Sequence, residues 1–496
     1  MVAIKIRKSL RWLLTIGALS VGSAGCGGST SASGRSDAGS GSPDVLEPSR
    51  ADAQASEGDV ATGIDASHGS DADILGPADA RASDARPADA SGGTEGGTLA
   101  DFQPFGEGGM VECSSGASPM CAWSTTQTSP SPFTGNNEIA ACPVTYSSGG
   151  PQCTSTPTCL TCGESFGYPT AAQKGQPRWF PDGVHLAFWV SNPTQSIANT
   201  SCNRVVPGAG CNGDLWTGTV SGSTGLSFVS SSLVKWTTET ADGGVLFNTT
   251  NTTQIAYAEK FGNGDGSAPQ GLGCWQVRVF DYSVTGGAVT KGAEVLGSPF
   301  SPVGECVWME NSGFFDPATP SQLVVTANAP TSPWWQPQLY AINLVTGEAN
   351  TFVDWATTKS DCPWNEHVHI DPTGQYVTWS STEGNNSFDG YNGCGTKFPG
   401  NPPLDLYRAN IVRAGTGTNV TLTADESSAT RLTTLNELGS ADRQSVCAWL
   451  GTCSNDATTP TSFSGGEGNW TDSGFYVWRI KNAAGTSAIV TLPMAP

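Results

Sequence analysis

The chain has 496 residues, 62 of them Gly and 32 Pro, and only 14% carry a charged side chain, against about 25% charged and about 7% Gly in ordinary soluble domains. Gly and Pro cost about 1 and about 3 kcal/mol in a helix interior, so an all-helical bundle is excluded. The 44 acidic residues outnumber the 23 basic ones, for a net charge of -21, which excludes nucleic acid as a partner, because binding it requires Lys and Arg against phosphates.

Residues 1–26 read as an export signal. Lys5, Arg7, Lys8 and Arg11 form a basic start, and Trp12–Val21 is a mostly apolar stretch of ten residues, half of what a membrane-spanning helix needs. The following Ser23-Ala24-Gly25-Cys26 resembles a bacterial lipobox, with Ser23 where the usual pattern has Leu. The resemblance implies that Cys26 is lipidated and becomes the new N-terminus. Acyl chains contribute about 0.8 kcal/mol per buried CH₂, so a multiply acylated Cys26 tethers the chain without a transmembrane helix. Gly27 and Gly28, with no Asp after the Cys, imply the outer membrane by analogy with lipoprotein sorting.

Residues 27–100 read as a linker. The segment has no Phe, Trp or Tyr, repeats Asp-Ala from Asp37 to Asp89, and holds 13 acidic and 4 basic residues. Such a composition cannot bury enough apolar surface to offset chain entropy.

Fifteen Cys become fourteen once Cys26 is assigned to lipid. In an oxidising compartment an even number points to disulfides. Sequence neighbours suggest Cys113–Cys121, Cys142–Cys153, Cys159–Cys162, Cys202–Cys211, Cys274–Cys306, Cys362–Cys394 and Cys447–Cys453, a pairing that spacing alone does not fix. The Cys159-Leu-Thr-Cys162 motif, with Cys142 and Cys153 upstream, also matches a zinc or redox site. Residues 101–175 form a Cys-rich segment that can contribute to the domain beginning at residue 176.

From Gln176 a unit recurs: an apolar strand, a Pro-Asp-Gly-like turn and a second apolar strand. Its copies are Gln176–Trp189, Val245–Tyr257, Gly313–Val325, His367–Trp379 and Gly468–Trp478. A further strand of Leu-Tyr type follows in Asp214–Trp216, Trp275–Phe280, Gln338–Leu344 and Leu404–Ile411. Short strands repeated between turn signals define an all-β array. The unit resembles the TolB-type β-propeller repeat, whose core reads roughly Trp-Ser-Pro-Asp-Gly before an Ile-Ala-Phe strand. The likeness is strongest at Trp179–Phe188 and Ile370–Trp379, and it implies a propeller of six or seven four-stranded antiparallel blades over residues 176–496, six being favoured. The last gap between turns, from 372 to 472, has room for an additional blade.

The strand before each turn should line the central channel. One side of it, Trp179, Phe247, Phe315, Ile370 and Trp470, should pack between blades; the other presents Arg178, Leu246, Phe314, His369 and Asn469. Strict alternation puts His367 on the same face as His369, with Glu366 and Asp371 beside them. Two imidazoles at i and i+2 can share a divalent metal, or one can act as a base. Some polysaccharide lyases built on this repeat use inner-strand His residues around a metal, with which Arg178 would fit as the contact for an acidic sugar. A structural or ligand-contacting role is the alternative for both His residues. Trp334 and Trp335 fall in a rim loop where their faces can stack on sugar, and Trp364 can join them. Asn263–Ser267 has half of a calcium-loop pattern but lacks the third acidic position and the distal Glu, so it reads first as a Gly-rich hairpin turn.

Three readings follow. The first is a monomeric outer-membrane lipoprotein that binds a glycan or a protein through its rim loops and requires no cofactor. The second is a polysaccharide lyase or hydrolase centred on His367 and His369. The third is a structural member of an envelope complex.

Overall fold

The computed structural model describes residues 100–101 and most of 109–494, the exceptions within that span being 127–132, 134–136, 169–171, 193–212, 238–240, 251–252, 263–273, 302–308, 329–336, 356–362, 386–401, 452, 455–460 and 483–485. These residues form six antiparallel sheets, the blades of a six-bladed β-propeller. The innermost strands are Val111–Cys113, Lys174–Trp179, Ala241–Phe247, Met309–Phe315, Asn365–Ile370 and Phe463–Trp470, in blades 1 to 6. Each contacts the next, and the sixth contacts the first, so the ring is closed.

Blade 1 spans Val111–Cys159 and is built entirely from the Cys-rich segment. Cystines take the place of part of an apolar core here. Cys113 faces Cys121 across the first hairpin and is bonded to it, and the blade also holds the Cys142–Cys153 and Cys159–Cys162 bridges. The Cys447–Cys453 bridge forms as expected, and Cys274 is disulfide-bonded. Cys202, Cys211, Cys306, Cys362 and Cys394 lie outside the described residues, as do Cys26 and residues 27–99.

The repeat's third strands fall where the Leu-Tyr pattern puts them, for example Pro337–Asn343 in blade 4 and Asp405–Ala414 in blade 5. Among the described residues the long gap from 372 to 472 holds no seventh blade. It contains the outer three strands of blade 5, the first strand of blade 6 and one helix, α1 (Ala441–Leu450), which Ser440 caps through its side chain and Gly451 ends in a left-handed turn. Buried Arg443 of α1 donates to the carbonyls of Leu435, Ser454 and Thr461, and so ties the crossover from blade 5 to blade 6.

Six apolar clusters fill the spaces between neighbouring blades. Trp179, Leu186 and Phe188 pack on Ile139 and Leu160 between blades 1 and 2. Phe314, Val324 and Leu339 meet Val377 and Trp379 between blades 4 and 5. Blade 6 is completed by Ala100–Asp101, which pairs with the last strand in the register Ala100 to Thr491 and Asp101 to Val490. Ala100, the last residue of the expected linker, therefore belongs to the propeller.

Candidate functional site

The inner strands converge on a cavity of about 470 Å³ on the propeller axis, to which all six blades contribute. Ser115, Pro181, Thr249, Pro317, Pro372 and Asp472 line it from the first hairpin of each blade, so its mouth opens on the face where those short turns lie. The longer connections between second and third strands leave from the opposite end, a consequence of antiparallel topology.

The two positions before each turn do what the alternation predicts, with one refinement. Trp179, Phe315, Ile370 and Trp470 pack towards the preceding blade. Leu246 and Phe314 pack towards the following one, and both sets have an edge on the cavity. At the second position His369 and Asn469 also turn to the following blade. The His369 ring lies 6.0 Å from that of Tyr476 in blade 6. Asn469 clamps the backbone of blade 1, accepting from the Cys113 N–H and donating to the Cys113 carbonyl, both at 3.3 Å.

Polar groups cluster on one side of the cavity. Arg178 Nη1 lies 3.3 Å from Glu112 Oε2, and the Trp179 indole N–H donates to the Glu112 carbonyl at 3.2 Å. His369 is only 9% exposed, and its Nε2 has no hydrogen-bond partner. Burial, then the Arg178 charge, then His367 push its imidazole well below the ordinary range, so it is neutral at pH 7. A buried polar nitrogen left unsatisfied costs about 1–3 kcal/mol. Nε2 itself is closed off from solvent, while the residue contributes to the cavity wall. The side formed by blades 3 and 4 is apolar: Val245, Leu246, Phe247, Phe314 and Phe315. Glu112 carries no sequence signal, because blade 1 lacks the Pro-Asp-Gly turn that reveals the other inner strands.

His367 departs from the expected geometry. The pairing of Asn365–Ile370 with its neighbour shifts between Glu366 and His369, and His367 takes a left-handed φ of 56°. This bulge breaks the i, i+2 relation, so strict alternation does not govern the two imidazoles. His367 is absent from the cavity lining, and its Nδ1 sits 3.3 Å from Glu366 Oε1. The bulge recurs in blades 2, 3, 4 and 6, and in blade 2 Gln176 has the matching φ of 52°. No third ligand atom among the described residues joins His367 and His369 into a metal-holding group. Among the described residues such a group arises only at Glu138, Cys159 and Cys162. There the two sulfurs form a disulfide and Glu138 pairs with Lys174 at 3.0 Å, which corrects the zinc alternative for this motif.

Trp364 is 5% exposed and packs on Leu404, so its face is turned into the protein and not offered to a ligand. Trp334, Trp335 and Asn263–Ser267 lie outside the described residues. His185 sits beyond the blade 2 turn, where Nδ1 meets Asp182 Oδ2 at 2.6 Å.

No protein-family model matches the chain, and no curated protein matches it in sequence. Its fold is similar to that of solved propellers. A structure described as a TolB of Agrobacterium tumefaciens shares 12% identity at a TM-score of 0.32, covering 66% of this chain and 79% of that one. An oligogalacturonate lyase in complex with manganese shares 10% at 0.35, covering 81% and 96%. A Trypanosoma rangeli sialidase in complex with sialic acid shares 7% at 0.37, covering 80% and 57%. The chain itself is a six-bladed β-propeller, as its repeat implies, and these likenesses are ones of fold alone.

Proposed function

We propose that this protein is an exported, lipid-anchored binding protein that holds the end of a glycan in its axial cavity. The observation that carries the reading is the axial cavity of about 470 Å³, in which an apolar wall from blades 3 and 4 faces a small polar set, Glu112, Arg178, His369 and Asn469. Binding sites of this kind combine a mostly apolar lining with a few placed polar groups, in volumes of about 300–1,000 Å³. Indole and phenyl edges make an apolar wall for the C–H groups of a sugar ring, whose hydroxyls then turn to the polar side of the cavity. The reading moves the expected contact from the rim loops to the axis.

A glycan array tests it. The wild-type protein should retain a defined set of glycans, and Thr249→Trp, which puts an indole across the mouth at an exposed position, should lose at least tenfold in affinity with an unchanged melting temperature. Unchanged binding by Thr249→Trp would move the site off the axis. Anchoring is tested separately: Cys26→Ala should release the protein from membranes, and continued membrane association would refute the lipid anchor.

The lyase reading is favoured by one observation, the neutral His369 imidazole beside the Arg178 guanidinium. A neutral imidazole can accept a proton while a cation holds a substrate carboxylate. Formation of an ultraviolet-absorbing unsaturated product from polyuronate, lost in His369→Ala, would establish it in place of simple binding.

A further inference from the structure

The repeat closes its hairpins with aspartates, and this structural device sets the charge at the cavity mouth. Asp371 accepts the N–H groups of Thr373, Gln375 and Tyr376 at 2.7–3.0 Å. Asp472 accepts from the Ser115 hydroxyl at 3.0 Å and the Gly116 N–H at 3.2 Å. Asp182 and Asp316 occupy the corresponding turns of blades 2 and 4, Asp182 accepting the N–H of Val184 at 2.9 Å and Asp316 held by Arg413. Glu112 stands deeper, against Arg178. Of the charged groups that line the cavity itself, Glu112, Asp371 and Asp472 are carboxylates and Arg178 is a guanidinium; Asp182 and Asp316 stand outside the lining, engaged by His185 and Arg413.

Both guanidiniums already have carboxylate partners, so neither is free to meet an incoming anion. Field lines concentrate in a cleft with apolar walls, and the apolar sector of blades 3 and 4 supplies those walls. His369 adds no positive charge at neutral pH. In a neutral imidazole one nitrogen donates and the other accepts. A hydroxyl, which does both, suits a neutral imidazole in the cavity wall in either tautomer, whereas a carboxylate can only accept.

We infer, on the basis of the glycan-binding reading, that the cavity selects an uncharged, hydroxyl-bearing sugar end and rejects its uronic-acid counterpart, through the collar of turn aspartates and the Glu112–Arg178 pair. Discrimination of this kind works by repelling the wrong ligand as well as attracting the right one.

The test uses the full chain and a glycan array carrying matched pairs that differ only in a terminal hexose or hexuronate, with the hits measured by calorimetry at low and high salt. The neutral member should bind at least tenfold more tightly at low salt, and the preference should shrink several-fold at high salt as the collar is screened. Asp472→Asn, which keeps an oxygen acceptor for Ser115 and Gly116, should narrow the preference at low salt while its melting temperature stays near wild type. Tighter or equal binding of the uronate, or a preference indifferent to salt and to Asp472→Asn, overturns this inference and leaves glycan binding standing. Retention of neither class overturns both.

Discussion

His369 gives the protein an acid sensitivity that follows from a single side chain. Its imidazole is held below the ordinary value by burial and by Arg178, so the folded form resists a proton that the unfolded chain accepts near pH 6.5. Above that pH both states are neutral and stability is unaffected. Below it the unfolded state binds more protons, and stability falls as pH falls, by up to about 1.4 kcal/mol per pH unit for one group. His185 has the opposite sign. Its hydrogen bond to Asp182 raises its affinity for a proton against the effect of burial, so its contribution is present below the ordinary His value and is lost as pH rises through the folded one. We expect the melting temperature of His369→Gln to decline less than wild type between pH 7 and pH 5. An equal decline in thermal scans would show that His369 takes its proton in the folded state. The sequence marks His369 as a channel residue through its distance from the Asp-Pro turn, and this the structure bears out. It misleads about His367, because a bulge is a property of two paired strands and leaves no trace in the period-2 pattern of one of them.

At the scale of elements, the inner strand of blade 6 shows why its glycines are there. A Cβ on Gly468 would lie 2.4 Å from both the Trp478 Cβ and the Val477 carbonyl, beside the register shift between Gly465 and Gly468. Relief requires moving the backbone or a fully buried indole. Gly468→Ala should therefore cost about 2–3 kcal/mol, in the range of core overpacking, read as a lower urea midpoint with the slope unchanged. Blade 1 depends on covalent bonds instead. Replacing Cys113 and Cys121 together by Ser should cost about 2–3 kcal/mol, the chain-entropy value for so short a loop, and a smaller loss would mean that the direct cross-strand pairing already holds the hairpin. Blades 2 to 6 are legible because each has a turn, with Pro, Asp or Gly in blades 2, 4, 5 and 6 and Asn and Thr in blade 3, set between two apolar strands. Blade 1 is not, since its turn at Ser114–Pro119 has neither the motif nor a preceding aromatic, and Glu112 is hidden with it.

At the scale of the whole molecule, stability is distributed around a ring of six interblade cores, none of which is complete without two neighbours. Circular closure makes every blade depend on the junction between blades 6 and 1. Removing residues 1–101 should accelerate hydrogen exchange in Ser487–Pro493, which loses its outer partner, while protection in Gln322–Asn328 of blade 4 is retained. Uniform loss of protection would show that the ring unfolds as one cooperative unit from its seam.

That seam is also a mechanical element. The chain reaches the propeller through Ala100–Asp101, whose register spans just two residue pairs on the outer edge of blade 6. Any load applied through the preceding residues falls first on this short clasp, ahead of the seven-pair ladder that joins Phe475–Asn482 to Ser487–Pro493. Under tension the clasp would peel at low force and release a few residues, leaving the six inner strands and the axial cavity intact. A load on the N-terminal side would thereby meet a built-in shock absorber, set apart from the axial cavity.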